Sequence, residues 1–210
     1  MGKVFKTKDE FIRVISTITN DGSVIMSLTG ETPEVPKEKQ FAFVEEAIKM
    51  DFSACMDQMP TALRFELIKE GYEDLIEGLK FEELDGPDDY WPGRMTSYIL
   101  RKFPDHESKI DWGKLKNIWL AQVIIDQPQF LEKADLSKLD SRSSAELISK
   151  RPELAAHFNL SVFNSPENSQ YWFRILEKQP QFAEACDWGL INDYQKKKLK
   201  EIHPSLEIKP

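Results

Sequence analysis

Residues 165–191 read SPENSQYWFRILEKQPQFAEACDWGLI. Tyr171, Trp172, Ile175 and Leu176 are spaced as one face of a helix. Ser165 followed by Pro166 predicts the helix start, with the serine as N-cap and the proline at the first helical position. Pro180 predicts its end, because proline lacks the N–H of the next turn and clashes with the preceding one. Phe182 and Cys186 follow one turn apart, and then an Asp187-Trp188 turn leading to Ile191. A unit of this size cannot bury its apolar side alone, so it needs neighbours of the same kind.

The neighbours are found by taking the prolines as register. Pro104, Pro128, Pro152, Pro180 and Pro204 are separated by 24, 24, 28 and 24 residues. Apolar pairs stand five and four residues before the first four: Ile99-Leu100, Val123-Ile124, Leu147-Ile148 and Ile175-Leu176; only Leu199 persists in the last. Two residues after each proline come His106, Phe130, Leu154, Phe182 and Leu206. Seven after come Asp111, Asp135, Asn159 and Asp187, and eight after come Trp112, Leu136, Leu160 and Trp188. The pattern predicts a helix of about ten residues, a stop at proline, a short second helix begun by that proline, and one more turn capped by the Asp or Asn. Asp140 or Ser141, and Asn164 or Ser165, are placed to cap the next long helix. The four extra residues of the third unit fall between Phe163 and Tyr171, in a connection, where insertion is tolerated.

The strings LEKQPQFAEACDWGLI and IDQPQFLEKADLSKL resemble a short helical repeat found in uncharacterised bacterial proteins, with the pattern W-x-x-L-L-x-x-Q-P-x-F-x-x-x-C-D-W-x-x-L. Unit 165–191 matches nearly throughout, unit 116–139 well, and units 94–115 and 140–163 in part. The resemblance spans roughly residues 94–210 and implies an all-helical repeat fold in a bacterial protein. It supplies no catalytic residue.

The sequence therefore predicts an all-α protein: a short α-solenoid-like array of ~24-residue repeats with an N-terminal helical cap. Residues 1–60 are read as an N-terminal helical segment, 61–93 as a degenerate repeat with an acidic loop, and 94–210 as the array. Residues 8–19 predict a helix, with Thr7 as N-cap and Phe11, Ile12, Ile15 and Ile18 on one face. Val24–Leu28 form a short apolar run that fits a strand or an extended segment, and 29–37 a loop. Residues 37–50 predict a helix burying Phe41, Val44, Ala47 and Ile48. Another is expected to begin with Pro60 at its first position, to bury Leu63, Phe65 and Leu67, and to end near Gly71. Residues 72–84 look like a degenerate copy of the later unit. Residues 85–93, DGPDDYWPG, read as a solvated acidic loop, because Asp85, Asp88 and Asp89 lack the spacing of a calcium loop.

The 210 residues carry a net charge of −8 and an isoelectric point near 5.1. That balance disfavours nucleic acid and a polybasic membrane contact. No apolar run approaches a membrane span, and residues 1–10 show no secretory signal. Two distant cysteines, Cys55 and Cys186, point to a reducing compartment, so the expectation is a cytoplasmic protein. His106, His157 and His203 lie in different register positions, and no zinc, phosphate-loop or serine-nucleophile motif occurs. Cys186, Trp112, Trp172 and Trp188 are assigned to the core. No cofactor or metal is expected.

These readings favour a non-enzymatic interaction module that binds another protein or peptide. The alternative is an acidic inhibitor or immunity-type protein that occludes a basic toxin or enzyme. Candidate partner contacts are Tyr90, Trp91 and Arg94, where aromatic residues stand beside an arginine, and Trp119, which the repeat leaves unexplained.

Overall fold

The computed structural model describes residues 3–21, 43, 45–85 and 93–208, with the backbone alone for 17–21. Every regular element among them is helical. The chain divides into two compact units, Met1–Met95 and Thr96–Pro210.

The first unit contains α1 (Lys8–Asp21), a helical stretch at 45–49, α2 (Phe52–Gln58) and α3 (Thr61–Lys69). Thr7 caps α1 as expected, its Oγ1 accepting from the Glu10 N–H at 3.1 Å. Phe11 and Ile15 are fully buried, and Phe5 stacks on Tyr72 with ring centroids 3.9 Å apart. Phe43 and Ala47 are buried, whereas Ile48, expected inside, is 59% exposed. The carbonyls of Ile48 and Met50, at the end of that turn, both accept from Lys8 Nζ. The apolar run at 24–28 and the loop at 29–37 lie outside the described residues.

Pro60 is the N-cap of α3 and Thr61 its first residue, one position later than expected. Leu63, Phe65 and Leu67 are buried. Gly71, at φ +99°, ends the helix; it adopts the left-handed conformation that lets the Tyr72 N–H return to the Leu67 carbonyl at 3.0 Å. The 3₁₀ helices Glu73–Gly78 and Phe81–Glu83 follow, burying Leu75, Leu79, Phe81 and Leu84. Asp85 overturns its assignment to a solvated loop. It is buried at φ +52°, and its Oδ1 accepts from the Met95 N–H at 2.9 Å. It thus answers a first-turn donor of α4 (Arg94–Lys102), which is why the carboxylate turns inward.

From α4 onward one succession of elements recurs. α4 leads to the 3₁₀ helices Pro104–Lys109 and Trp112–Lys114; α5 (Asn117–Asp126) to Pro128–Lys133 and Leu136–Lys138. α6 (Ser141–Lys150) leads to Pro152–His157 and Leu160–Phe163, and α7 (Gln170–Lys178) to Pro180–Ala185 and Trp188–Leu190. α8 (Asp193–Ile202) comes last. The side chains of Asp111, Asp135, Asn159 and Asp187 accept from the N–H two residues on, at 2.8–3.2 Å, as the caps they were expected to be. Asp140 caps α6 through the Ser143 N–H at 2.7 Å.

α7 departs from expectation. Its first residue is Gln170, not Pro166, and Ser165 is not its N-cap. The four-residue insertion forms its own turn, in which the Ser165 carbonyl accepts from the Ser169 N–H at 2.8 Å, so the helix starts after it.

The pairs Ile99-Leu100, Val123-Ile124, Leu147-Ile148 and Ile175-Leu176 are fully buried. α5 packs on α6, α6 on α7 and α7 on α8. Each such side chain contributes about 1.5–3 kcal/mol by leaving water.

Candidate functional site

The proline that ends each helix leaves nearby carbonyls without an intrahelical donor, because it has no N–H to give. The residue just before the next proline answers them. Gln127 Nε2 donates to the Arg101 carbonyl and Gln179 Nε2 to the Ser149 carbonyl, each at 2.8 Å. Arg151 Nη1 donates to the Ile125 carbonyl at 3.4 Å. His203 Nε2 lies 3.0 Å from the Glu177 carbonyl. All four acceptors stand three residues before the preceding proline. These rungs were not assigned from sequence, although the recurring Gln-Pro pair was the signal that could have found them.

Lateral ion pairs follow the same spacing. Arg101 pairs with Asp126, Lys133 with Glu107, and Arg174 with Glu146 at 2.8 Å. The Lys133 ammonium holds the Glu107 carboxyl below the usual range.

The candidate contacts separate. Tyr90 and Trp91 lie outside the described residues. Arg94 is 19% exposed, with Nη2 3.7 Å from Glu66 Oε1 and its guanidinium 5.6 Å from the Phe65 ring centroid. Burial lowers its pKa and raises that of Glu66, which Lys69 partly offsets. Arg94 therefore lies inside the first unit. Trp119 is half-buried against the cluster containing Leu120 and Val123, and its carbonyl accepts from Ser97 Oγ at 3.2 Å. Arg94 belongs to the first unit and Trp119 to the second.

The remaining chemistry-bearing groups are also placed. Cys186 is buried and its thiol is pushed up to about 12, mainly by burial and then by the adjacent Asp187 carboxylate. Cys55 donates to the Ala47 carbonyl at 3.3 Å. Trp172 and Trp188 are core residues; Trp172 Nε1 donates to Asn164 Oδ1 at 2.7 Å. Trp112, also assigned to the core, is only half-buried, edge-on to Phe130 with centroids 5.5 Å apart. No group of three metal-ligating side chains occurs among the described residues, and no helix among them is long and apolar enough to cross a membrane.

Two further surface features lie among the described residues. One is a strip of exposed carboxylates around the first unit's 3₁₀ helices: Glu70, Glu73, Asp74, Glu77, Glu82 and Glu83. The other is a cleft of about 350 Å³ between the start of α6 and residues 157–163.

Compared with models of known protein families, with curated proteins and with solved structures, the chain matches none.

Proposed function

We propose that the protein is a non-enzymatic helical-repeat module that binds another protein or peptide in the cytoplasm. Residues 94–210 are read as a short solenoid-like array of the bacterial repeat type that the Gln-Pro and Asp-Trp strings resemble. The observation that carries this reading is the rung before four of the five prolines that set the register. It ties one segment to the next at the same atom four times, as a stack of equivalent units would require. Such stacks present extended surfaces built from few residue types, and protein partners are what those surfaces usually take.

The test is affinity capture of the tagged full-length chain from its host, followed by titration of the purified partner. One saturable, stoichiometric partner is the expected result. Turnover of a small-molecule substrate by the purified chain, with no such partner, would overturn the reading. Tyr90→Ala with Trp91→Ala is the variant to compare. Arg94 is left intact, because its burial makes it a poor probe of surface contact.

The division of charge favours a second reading, an acidic inhibitor of a basic toxin or enzyme. Residues 1–95 hold 11 basic and 20 acidic side chains, net −9, while residues 96–210 hold 17 and 16, net +1. Reversing Glu73, Asp74 and Glu77 to lysine tests it. An inhibitor would lose its basic target, with the loss mimicked by raising salt. Undiminished binding would discard this reading and leave the first.

A further inference from the structure

The cleft at α6 has a cause that the proline register makes visible. Eight residues before Pro180 stands Trp172, fully buried, its ring edge-on to Phe163 with centroids 5.7 Å apart. Eight residues before Pro104 and Pro128 stand Thr96 and Leu120, both also buried. Eight residues before Pro152 stands Ser144. Phe163 lies eleven residues after its proline, and the residue eleven after Pro128 is Leu139. Ser144 and Leu139 therefore hold the places that Trp172 and Phe163 fill one segment later, with a hydroxymethyl where the other has an indole. Both line the cleft.

The rest of the lining fits this origin. Leu136, Phe158, Val162 and Phe163 give it apolar walls, and Val162 stands 45% exposed at its rim. No lining residue carries a carboxylate, ammonium or guanidinium group, in a chain whose residues are 30% charged. A volume of about 350 Å³ lies at the small end of ligand sites, suited to one large side chain. A lining without carboxylate, ammonium or guanidinium groups selects a flat, apolar group with at most one polar edge, which His157 and the Ser and Asn side chains of the lining can answer.

We infer that this cleft takes one aromatic side chain, an indole by preference, from a partner polypeptide. The partner supplies at α6 what the chain supplies for itself at α7. This inference rests on the protein-binding reading above and names the anchor residue of the partner.

The test titrates the full-length protein with N-acetyl-L-tryptophanamide and follows the methyl resonances of Leu136, Leu139 and Val162, with N-acetyl-L-alaninamide as control. The expected result is saturable shifts with the tryptophan amide alone. Ser144→Trp should fill the cleft from within, raise the melting temperature and weaken the probe by at least about tenfold. Val162→Asp, on the exposed rim, should weaken it without unfolding the protein, and it decides the matter if Ser144→Trp does not fold. Equal shifts with both amides, or a titration unchanged by Val162→Asp, would overturn the inference. A captured partner that binds Ser144→Trp as well as wild type would overturn it while leaving the protein-binding reading in place. A cleft that binds the probe in a chain with no protein partner would overturn the protein-binding reading and, with it, the partner polypeptide as the source of the indole.

Discussion

α3 of the first unit and the helices of the second end differently. In the first, α3 stops within its own residues: Gly71 takes a left-handed conformation and the next N–H groups turn back onto the helix. In the second, proline stops the helix, and a carbonyl it leaves open is satisfied from about 26 residues away, or 30 across the insertion. The glycine ending is local and says nothing about neighbours. The proline ending is satisfied only when the next segment is in register, so closing the helix and packing the next one are the same event. A second contrast follows. The first unit uses a buried side chain, Arg64, to tie α3 to the Met56 and Leu75 carbonyls, with burial lowering its pKa. The second uses the same short rung four times.

The contrast can be broken or sharpened by substitution. The largest effect is expected for Trp172→Ala, which empties a fully buried place and removes the Asn164 hydrogen bond. A loss of about 3–5 kcal/mol in denaturant unfolding is expected. Gly78→Ala comes next. A Cβ there would overlap the Arg64 guanidinium, which is held by its carbonyl partners. About 1–3 kcal/mol should be lost, and a neutral result would show that the clamp gives way. Gln179→Ala removes one rung and should cost about 1–2 kcal/mol by leaving the Ser149 carbonyl open, whereas Glu184→Ala, on the exposed surface, should change unfolding by less than about 0.5 kcal/mol. If the two variants behave alike, the rungs do not hold the segments in register.

Asp187→Ala removes the cap of a single turn and should cost about 0.5–1 kcal/mol in the same assay. The last effect concerns Cys186 and is a dependence on pH that begins only in alkaline solution. Its thiol titrates near 12 in the folded chain against 9.0 for an exposed cysteine. The unfolded chain therefore releases its proton first as pH rises. The thiol's contribution is fully present below pH 9 and is lost between about 9 and 12. Urea unfolding from pH 8 to 10.5 should show a decline that is smaller in Cys186→Ala.

Much of the second unit was legible because its signals are covalent or local. A proline ends a helix in any context, an Asp two residues before a free N–H caps it, and apolar pairs at fixed spacing fall on one face. Ser165-Pro166 satisfies the local rule equally well for a turn, and the hydrogen bond from the Ser169 N–H to the Ser165 carbonyl closes that turn before α7 begins. The inward carboxylate of Asp85, which answers an N–H ten residues on, and the exposed Ile48 are announced by no local pattern. The rung residues are a mixed case. Gln127, Arg151, Gln179 and His203 share a position but not a chemical class, and only their common task as side-chain hydrogen-bonding groups unites them. The vacancy at Ser144 was readable in principle, by comparing positions eight before each proline, but a missing side chain draws less notice than a present one.

The rungs also set an order in time. During synthesis, α4 can coil as soon as Lys102 has emerged, yet the Arg101 carbonyl has no rung until Gln127 follows. Each later helix waits in the same way, α7 for His203. A ribosome-bound chain of this kind therefore carries one unfinished helix end at its growing edge, and it matures one segment behind the point of elongation.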